Sequence, residues 1–461
     1  MRCTRRNPCP SQSDAAGHER PILVFAGQRA NLWEATTCAA QLAARHVDAK
    51  NDSIVRALGQ IHPSFRLRLE TSDTAGNEAG GLRAFLTSDV EHIDGYVGAV
   101  RSDVSELVAQ LTGLESVLQI SPASSSPVLS DKATFPFFAR TYPSDLLSAQ
   151  LLGETLLSFN WRYVTLVYVR DSFGSGYQQA LAAAAGPLGL HIHLDGVASD
   201  GAGGADVDDL RIVVAEVKSH RENIMIVAML DYGPFLDTVL ELDMLSSDYA
   251  YVLIEGASQA AGLGTRQRQQ LSGMLSWAVS GPVSSAQTAA TARLSDVWST
   301  LTPADCANEV FVPNTTMFAQ APPDVAAFTF DAVAALALAI SHAEYGDASG
   351  GVAQAGGTAT ERQRRRLAEL LNVSFDGTSG LVRFDRSGDR LAADLGFELC
   401  NFVIGLDTDV SCRAARIVDG AGVRHVRDIV WLQNSSFLPK PTHTFAVLMP
   451  ITGSLGAFHA A

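Results

Sequence analysis

The sequence is poor in cysteine and in basic residues, and it has no long uninterrupted apolar run. Six cysteines in 461 residues, with no Cys-x-x-Cys pair, exclude a small disulfide-built scaffold and a zinc ribbon. Lys plus Arg total 34 against 49 for Asp plus Glu, so the acidic surface disfavours nucleic acid and anionic lipid as partners. The most apolar stretch, Val325 to Ile340, contains Asp331 and predicts a buried helix rather than a membrane span.

The motifs of common catalytic sites are also missing. There is no Gly-x-Ser-x-Gly elbow, no phosphate-binding loop and no His-Glu-x-x-His pair, and the Gly-x-Gly pairs at Gly174 and Gly262 lack a third glycine. His191 and His193 alternate on one predicted strand, where no partner is suggested to complete a metal site. The sequence therefore predicts neither an enzyme nor a cofactor nor a metal centre.

The N-terminal residues and four glycosylation acceptors bear on where the protein acts. Residues 1–20 are basic and polar and lack the apolar core of a signal peptide, which predicts a disordered tail. Four Asn-x-Ser/Thr acceptors, at Asn51, Asn314, Asn372 and Asn434, suit an extracellular glycoprotein. If the chain is extracellular, we expect its export signal and membrane anchor to lie outside this sequence.

Strand-like and helix-like segments alternate along the chain, which is typical of a parallel α/β sheet. The predicted strands are PILVFAG, FRLRLETSD, DGYVGAV, SVLQI, YVTLVYV, HIHL, NIMIVAML, YAYVLI and GMLSWAV. Apolar residues recur at helical spacing between them, for example from Val104 to Leu114. The length and the 47% hydrophobic composition allow more than one such unit.

The alternation restarts after Asp145, and this restart predicts two Rossmann-like lobes. We assign residues 21–144 and 283–385 to lobe 1, and residues 145–282 and 386–433 to lobe 2. Long helices at Val325–His342 and Glu361–Leu371 belong to lobe 1 in this assignment. The basic run that opens the second of these helices, Glu361–Arg366, is predicted to be a solvated face.

Two long phrases carry a resemblance to a known family. The first is SPASSSPVLSDKATFPFFARTYPSD, from Ser121 to Asp145, and the second is NVSFDGTSGLVRFDRSGDR, Asn372 to Arg390, followed by GFELCNFVIG. Both resemble the ligand-binding region shared by class C G-protein-coupled receptors, receptor guanylyl cyclases and amino-acid-binding proteins. DIVWLQ, Asp428 to Gln433, is similar to the closing strand of that family. The resemblance implies a periplasmic-binding-protein-like type 1 fold, the Venus-flytrap clamp, in which two lobes close on a small molecule.

The end of the chain resembles the beginning of the same family. TFAVLMPITGSLGAF, Thr444 to Phe458, is similar to the first strand and turn of the module, so residues 443–461 are interpreted as the start of a second ligand-binding repeat. The alternative interpretation is an incidental apolar tail.

Three adjacent serines are the first candidate ligand contacts. Ser124, Ser125 and Ser126 follow the strand that ends at Ile120, where loops at the carboxyl ends of parallel strands converge on a crevice. By position, Ser125 matches a hydroxyl residue that contacts the ligand in amino-acid-sensing receptors, whereas Ala123 replaces another. The alternative interpretation is a serine-rich turn that caps a helix.

The loop GAVRSDV adds Ser102 and Asp103. By resemblance to glutamate-type receptors, Asp103 stands where a serine takes the ligand's carboxylate, and an acid there disfavours a simple glutamate site. A carboxylate about 4 Å away would suffer a repulsion of roughly 1–4 kcal/mol. Asp103 and Glu106 also fit an Asp-x-x-Glu capping box, which is a sufficient structural reason for both.

The other contacts implied by the resemblance are mixed. Asp145 matches an acid that meets the ligand's ammonium, although it also fits a helix cap. Phe173 replaces a tyrosine that covers the ligand. Ala257 replaces a second acid, for which Glu255 is the candidate substitute. Two aspartates and a glutamate around one crevice suit an amine, a peptide or a cation.

The sequence therefore predicts the extracellular small-molecule sensor of a membrane receptor, for an amino-acid-like or amine ligand. The alternative is a soluble solute-binding protein that delivers such a molecule to a transporter. The resemblance implies a homo- or heterodimer through lobe 1. Cys400 and Cys412 flank a short loop between predicted strands and are candidates for a disulfide.

Overall fold

A computed structural model describes residues 19–432, except 27–31, 91, 202–203, 283–284, 308–314, 320, 347–357, 392–394, 405–409 and 420–421. It contains two main sheets with helices on both faces of each, so the predicted α/β class is confirmed. The tail predicted for residues 1–20 overlaps the first strand at Glu19 and Arg20, and its other residues lie outside the described part.

The strands are β1 Glu19–Ala26, β2 Arg66–Asp73, β3 Gly95–Val97, β4 Gln119–Ser121, β5 Phe138–Arg140, β6 Tyr163–Val169, β7 His191–Val197, β8 Ile224–Ala228, β9 Ala250–Ile254, β10 Leu275–Pro282, β11 Ser374–Gly377, β12 Gly380–Arg383, β13 Leu395–Ile404, β14 Val410–Asp419 and β15 Gly422–His425. The α-helices are α1 Leu32–Ala49, α2 Glu78–Thr87, α3 Ser102–Glu115, α4 Asp145–Ser158, α5 Ser172–Leu188, α6 Val207–Ser219, α7 Gly233–Glu241, α8 Gly256–Gln259, α9 Thr265–Gln270, α10 Ser285–Trp298, α11 Pro303–Cys306, α12 Asp324–Tyr345 and α13 Ala359–Asn372.

The first sheet is parallel, with the strand order β2-β1-β3-β4-β5. Its central strands are buried on both faces because helices cover each side. Apolar residues of α1 and α12 pack on one face, and those of α2 and α3 pack on the other. We call the part of the molecule built on this sheet the first lobe.

The second sheet has eight strands in the order β15-β14-β13-β10-β9-β8-β6-β7. The strands from β6 to β10 pair in parallel, and β13, β14 and β15 continue the sheet antiparallel. Helices α4 and α5 cover one face, and α6 and α7 cover the other. We call this part the second lobe. The chain enters the second lobe after β5 and returns to it at β13. The residue ranges assigned to the two lobes in the sequence analysis stay a prediction.

Helix α12 is the most apolar helix of the described part. Its length and composition would allow it to cross a membrane, but nearly all of its apolar window is buried inside the protein. A helix that is hydrophobic on every side needs neighbours on every side, and α12 has α1, α13 and the first sheet around it. The buried helix predicted from Val325 to Ile340 is therefore the centre of the first lobe's core.

The basic run from Glu361 to Arg366 is only partly a solvated face. Arg366 is fully buried, and its guanidinium pairs with Asp94 Oδ1 at 2.6 Å and with Glu344 Oε1 at 2.7 Å. The prediction is wrong at this residue, because α13 turns one of its arginines inward onto two acids from distant parts of the chain. Charge composition along one helix does not contain that information.

The closing strand predicted at Asp428 to Gln433 is also wrong within the described residues. Residues 428–431 form no strand, although Trp431 and Leu432 are buried. Their apolar side chains anchor this segment by packing in the two cores of the second lobe rather than by strand pairing. The second repeat interpreted at residues 443–461 lies outside the described residues.

Two disulfides are present among the described cysteines. Cys400 and Cys412, the predicted pair, are joined between β13 and β14 with a Cα–Cα distance of 5.4 Å. Cys38 and Cys306, which sequence analysis did not pair, connect α1 to α11 across a separation of 268 residues. Of the four Asn-x-Ser/Thr acceptors, Asn51 and Asn372 are exposed, and the other two lie outside the described residues.

Replacing Cys38 and Cys306 together by serine is expected to lower the free energy of unfolding by about 2–4 kcal/mol. The longer a closed loop, the more the crosslink restricts the unfolded chain, so this loss should exceed that of the Cys400/Cys412 double variant, whose loop spans 12 residues. Urea unfolding of the oxidised proteins measures both. Equal losses would contradict the loop-length argument.

Candidate ligand-binding cleft

A cleft of about 370 Å³ lies between the two lobes. It opens at the carboxyl ends of the parallel strands, because the loops after β2, β3, β4 and β5 line it from the first lobe and those after β6, β8 and β9 line it from the second. Ligands bind at this edge of open α/β sheets, where loops converge and helix N-termini point inward.

Five of the eight predicted contact residues line this cleft, and three do not. The lining residues are Ser102, Ser125, Asp145, Phe173 and Glu255. Asp103, Ser124 and Ser126 are adjacent in sequence but are not part of the lining.

The serine triplet divides into one cleft residue and two structural ones. Ser124 is fully buried and donates to Ser105 Oγ at 2.8 Å. Ser126 donates to Glu106 Oε1 at 3.0 Å. The backbone N–H groups of Ser125 and Ser126 both donate to Ser102 Oγ at 3.2 Å, so Ser102 fixes the loop that presents Ser125.

Asp103 and Glu106 do not form the capping box considered above. Helix α3 begins at Ser102, and its N-cap residue Arg101 makes no side-chain cap. Asp103 lies two residues after the N-cap position and instead accepts from Arg101 Nε at 3.0 Å. Arg101 itself lines the cleft, so Asp103 lowers the net positive charge there without facing a ligand directly.

Asp145 is the most distinctive acid of the cleft. It is 4% exposed, its carboxyl group accepts from the Ser125 hydroxyl, and its backbone N–H donates to Ser125 O at 2.9 Å. Its second carboxyl oxygen, Oδ2, is buried and has no hydrogen-bond partner within the described part of the chain. Burial raises the pKa of Asp145 to about 7, although the Ser125 hydrogen bond and the charge of Arg140 oppose the shift.

Glu255 lies just after β9 on the second lobe, and its side chain is partly buried. It follows β9 in a left-handed backbone conformation with φ of 57°, which is costly for a residue other than glycine. Its Oε1 accepts from the Tyr142 hydroxyl at 2.6 Å. Burial raises the pKa of Glu255 to about 8, and the charges of Asp324 and Asp145 add to the shift.

Sequence analysis missed several residues of the lining. Arg101 and Tyr142 stand inside the phrases quoted above. Asp231 directly follows the predicted strand NIMIVAML, so strand-end position was a usable signal for it. Asp324 opens α12 at the cleft, and its pKa is raised by burial. With Asp145 and Glu255, these acids outnumber Arg101 among the charged residues of the lining that the structure describes.

Arg140 supports the serine loop from behind. The side chain is fully buried, and its Nε pairs with Asp389 Oδ1 at 2.8 Å. Its Nη1 donates to the carbonyl oxygens of Ser124 at 3.3 Å and Ser126 at 2.7 Å. The two phrases that carry the family resemblance thus meet at this ion pair, next to the cleft.

The chain is similar in sequence to one protein family and to several receptors. The profile of the family described as "Receptor family ligand binding region" matches residues 39–396, more than three quarters of the chain. The chain is 38% identical over 128 residues to a metabotropic glutamate receptor of Drosophila melanogaster. It is 39% identical over 108 residues to a probable metabotropic glutamate receptor of Caenorhabditis elegans, and 38% identical over 163 residues to metabotropic glutamate receptor 4 of Macaca fascicularis.

These matches are segments of longer proteins. They cover 27%, 23% and 35% of this chain, in the same order, and 13%, 11% and 18% of the relatives. The chain therefore matches less than a fifth of the length of each relative.

Proposed function

Because this chain belongs to the receptor family ligand-binding region, we propose that it is the extracellular small-molecule-binding domain of a membrane receptor. The ligand is amino-acid-like or an amine, and it binds between the two lobes. The family match and the segments shared with metabotropic glutamate receptors support the receptor class. The two disulfides and the exposed acceptors Asn51 and Asn372 support an extracellular location.

The observation that carries the ligand class is the unpartnered carboxyl oxygen of Asp145. A buried polar atom costs free energy unless it is hydrogen-bonded, and a protonated amine in the cleft would supply the missing donor. Glu255, which also lines the cleft, adds a second acceptor for the same cation. Arg101 and Ser125 line the same cleft, where a carboxylate or another acceptor group of the ligand would approach them.

The names of the relatives raise glutamate as a ligand, but the charges of this cleft favour a less acidic molecule. Asp145, Asp231, Glu255 and Asp324 all line it, against Arg101. Glutamate carries two carboxylates, and among the described residues of the lining a second one would meet these acids with no cation besides Arg101. We therefore propose a ligand with at least one protonated amine and at most one carboxylate.

Signalling follows from closure of the lobes on the ligand. Contacts already join the two lobes around the cleft: Arg101 Nη2 lies 3.8 Å from Asp171 Oδ2, and the Ser172 hydroxyl donates to Glu106. A ligand shifts the population toward the closed form only by its preference for that form. Ligand groups that touch Ser125 and Glu255 at once would have such a preference.

Dimerisation through the first lobe is part of the proposal. Leu86, near the end of α2, and Leu114, near the end of α3, are 68% and 81% exposed, the most exposed large apolar side chains of the described residues. Both helices cover the same face of the first sheet. Apolar side chains exposed on one face favour a protein partner, and a second receptor chain fits the family.

The function is tested by isothermal titration of the purified chain with L-amino acids, including L-glutamate, and with simple amines. For a ligand that binds, Asp145→Asn should weaken binding by about 10-fold or more, because a charge-assisted hydrogen bond contributes about 1.5–3 kcal/mol. Asp296→Asn, on an exposed position of α10, is the matched control and should bind as the parent does.

Two outcomes would contradict the proposal. If Asp145→Asn and Ser125→Ala both bind the ligand as tightly as the parent, this cleft is not the ligand-binding site. A full-length transcript with a signal peptide and no membrane span would instead favour a soluble solute-binding protein, whereas seven spans downstream would support a G-protein-coupled receptor.

A further inference from the structure

Three side chains of metal-binding type meet on the second lobe, at the edge of its sheet. His193 lies on β7, which is the last strand of the eight-stranded sheet. His220 is the C-cap residue of α6, and Glu222 follows in the turn before β8. One potential ligand atom from each of the three lies within 4.8 Å of the others. Sequence analysis gave His193 no partner, and the fold supplies two.

The Glu222 carboxylate is held in place by two hydrogen bonds. Glu222 Oε1 is hydrogen-bonded to His193 Nδ1, and Glu222 Oε2 accepts from the hydroxyl of Thr165 on the neighbouring strand β6. The rings of His193 and His220 have their centroids 6.0 Å apart. Both histidines are exposed, so an ion can reach them from solvent.

A second carboxylate lies on the other side of His193. Asp195 Oδ1 is 3.8 Å from His193 Nε2, and the Asp195 side chain is 16% exposed. Its Oδ2 is buried without a hydrogen-bond partner in the described ranges. Glu222 and Asp195 thus place two carboxylates around the His193 ring.

We propose that this corner binds a divalent transition-metal ion of the zinc class. His193 Nδ1, an imidazole nitrogen of His220 and the carboxylate of Glu222 are the ligands, and water takes the fourth position. Asp195, whose Oδ1 lies 3.8 Å from His193 Nε2, would move closer to accept from Nε2–H, the arrangement by which a carboxylate orients a metal-binding imidazole. Two imidazoles and one carboxylate suit zinc, whereas magnesium and calcium prefer oxygen ligands alone.

Binding needs only a small adjustment of exposed side chains. Ligand atoms about 2.0–2.2 Å from one zinc ion lie about 3–4 Å from each other in a tetrahedral site. The His220 ring, at the end of α6, closes the difference by rotation. The ion would then join the edge strand β7, which pairs only with β6, to the turn between α6 and β8. It would act on the stability of the second lobe, independently of a ligand in the cleft.

The test is titration of the full chain, first stripped with a chelator, with zinc chloride alone. Calorimetry should detect one site, and zinc should raise the melting temperature, whereas magnesium chloride should do neither. His220→Ala should weaken zinc binding by more than Asp195→Asn, for which a loss of about 10-fold or more is expected. His191→Ala is the matched control, because His191 is exposed on the same strand, stacks on Tyr163 and lies outside the group of three.

Circular dichroism of each variant without metal establishes that it is folded, and His220, an exposed residue, should tolerate alanine. An affinity for zinc that is the same in His220→Ala as in the parent would overturn the proposal. So would equal losses in His191→Ala and His220→Ala, or the absence of zinc binding to the parent chain.

Discussion

Replacing Asp331 by alanine is expected to lower the free energy of unfolding by about 3–5 kcal/mol, the range found when one partner of a buried charged group is removed. Asp331 lies in the middle of α12 and is fully buried. It is the acid that interrupts the most apolar run of the sequence, and its position in a core helix requires compensating partners.

Those partners come from the turn between β11 and β12. The backbone N–H groups of Thr378 and Ser379 each donate to Asp331 at 2.7 Å, and both hydroxyl groups donate to it as well. Arg390 adds an attractive charge and donates to Ser379 Oγ at 3.0 Å. A Cβ on Gly377 would lie 2.5 Å from Asp331 Oδ2, so only glycine permits this close approach. Alanine at residue 331 would leave several buried donors unsatisfied.

Urea unfolding followed by circular dichroism measures the loss. Asp331→Asn keeps the shape but only one acceptor oxygen, so an intermediate loss is expected. Asp296→Ala, at an exposed position of α10, should change stability by no more than about 0.5 kcal/mol. A loss below about 1 kcal/mol for Asp331→Ala would mean that the turn finds other partners or that water replaces the carboxylate.

Asp331 also illustrates which part of the fold is readable from sequence. Continuous apolar runs predicted strands β6, β8 and β9 and helix α12, because burial on both sides demands such runs. The charge run at Glu361–Arg366 did not reveal the burial of Arg366, whose acidic partners are Asp94, 272 residues away, and Glu344, 22 residues away on α12. Long-range pairing of a buried charge leaves no local pattern.

The cleft shows the same division. Position after a strand indicated the region of Ser125 and Glu255, because strand ends of a parallel sheet share one edge. It did not indicate which side chains point into the cleft. Asp103 turns toward Arg101, and Ser124 turns into the core, because hydrogen bonds within the loops decide their direction. The group of His193, His220 and Glu222 was also out of reach, since His193 and Glu222 meet only when β6 lies between β7 and β8 in the sheet.

The stability of the protein without ligand is expected to fall as pH rises from about 4 to 8.5. In the folded protein the pKa of Asp145 is raised from 3.8 to about 7, and that of Glu255 from 4.5 to about 8, chiefly by burial. A raised carboxyl pKa means that the native state holds protons more tightly than the unfolded chain. The stability contributed by these protons is therefore complete below the unfolded pKa and is lost as pH rises toward the folded pKa.

Glu255→Gln should abolish this loss at one site, because glutamine stays neutral and can still accept from Tyr142. We expect the variant to be about as stable as the parent near pH 4 and more stable by about 2–4 kcal/mol at pH 8.5, in the absence of ligand. Urea unfolding at both pH values measures the difference. A constant difference across this range would contradict a raised pKa at Glu255.

Ionisation of the same two carboxyl groups lowers the stability of the empty protein but should raise its affinity for an amine. A protonated amine interacts with the ionised acids, so its affinity should rise with pH by up to about 10-fold per unit below the pKa of Glu255. Binding should release protons, which calorimetry detects in buffers of different ionisation enthalpy. Glu255→Gln should weaken binding and flatten its pH dependence while stabilising the empty protein. In a ligand site, an acid that lowers the stability of the empty protein is kept because binding needs it. Neutralising a structural acid would instead lower the stability of the protein.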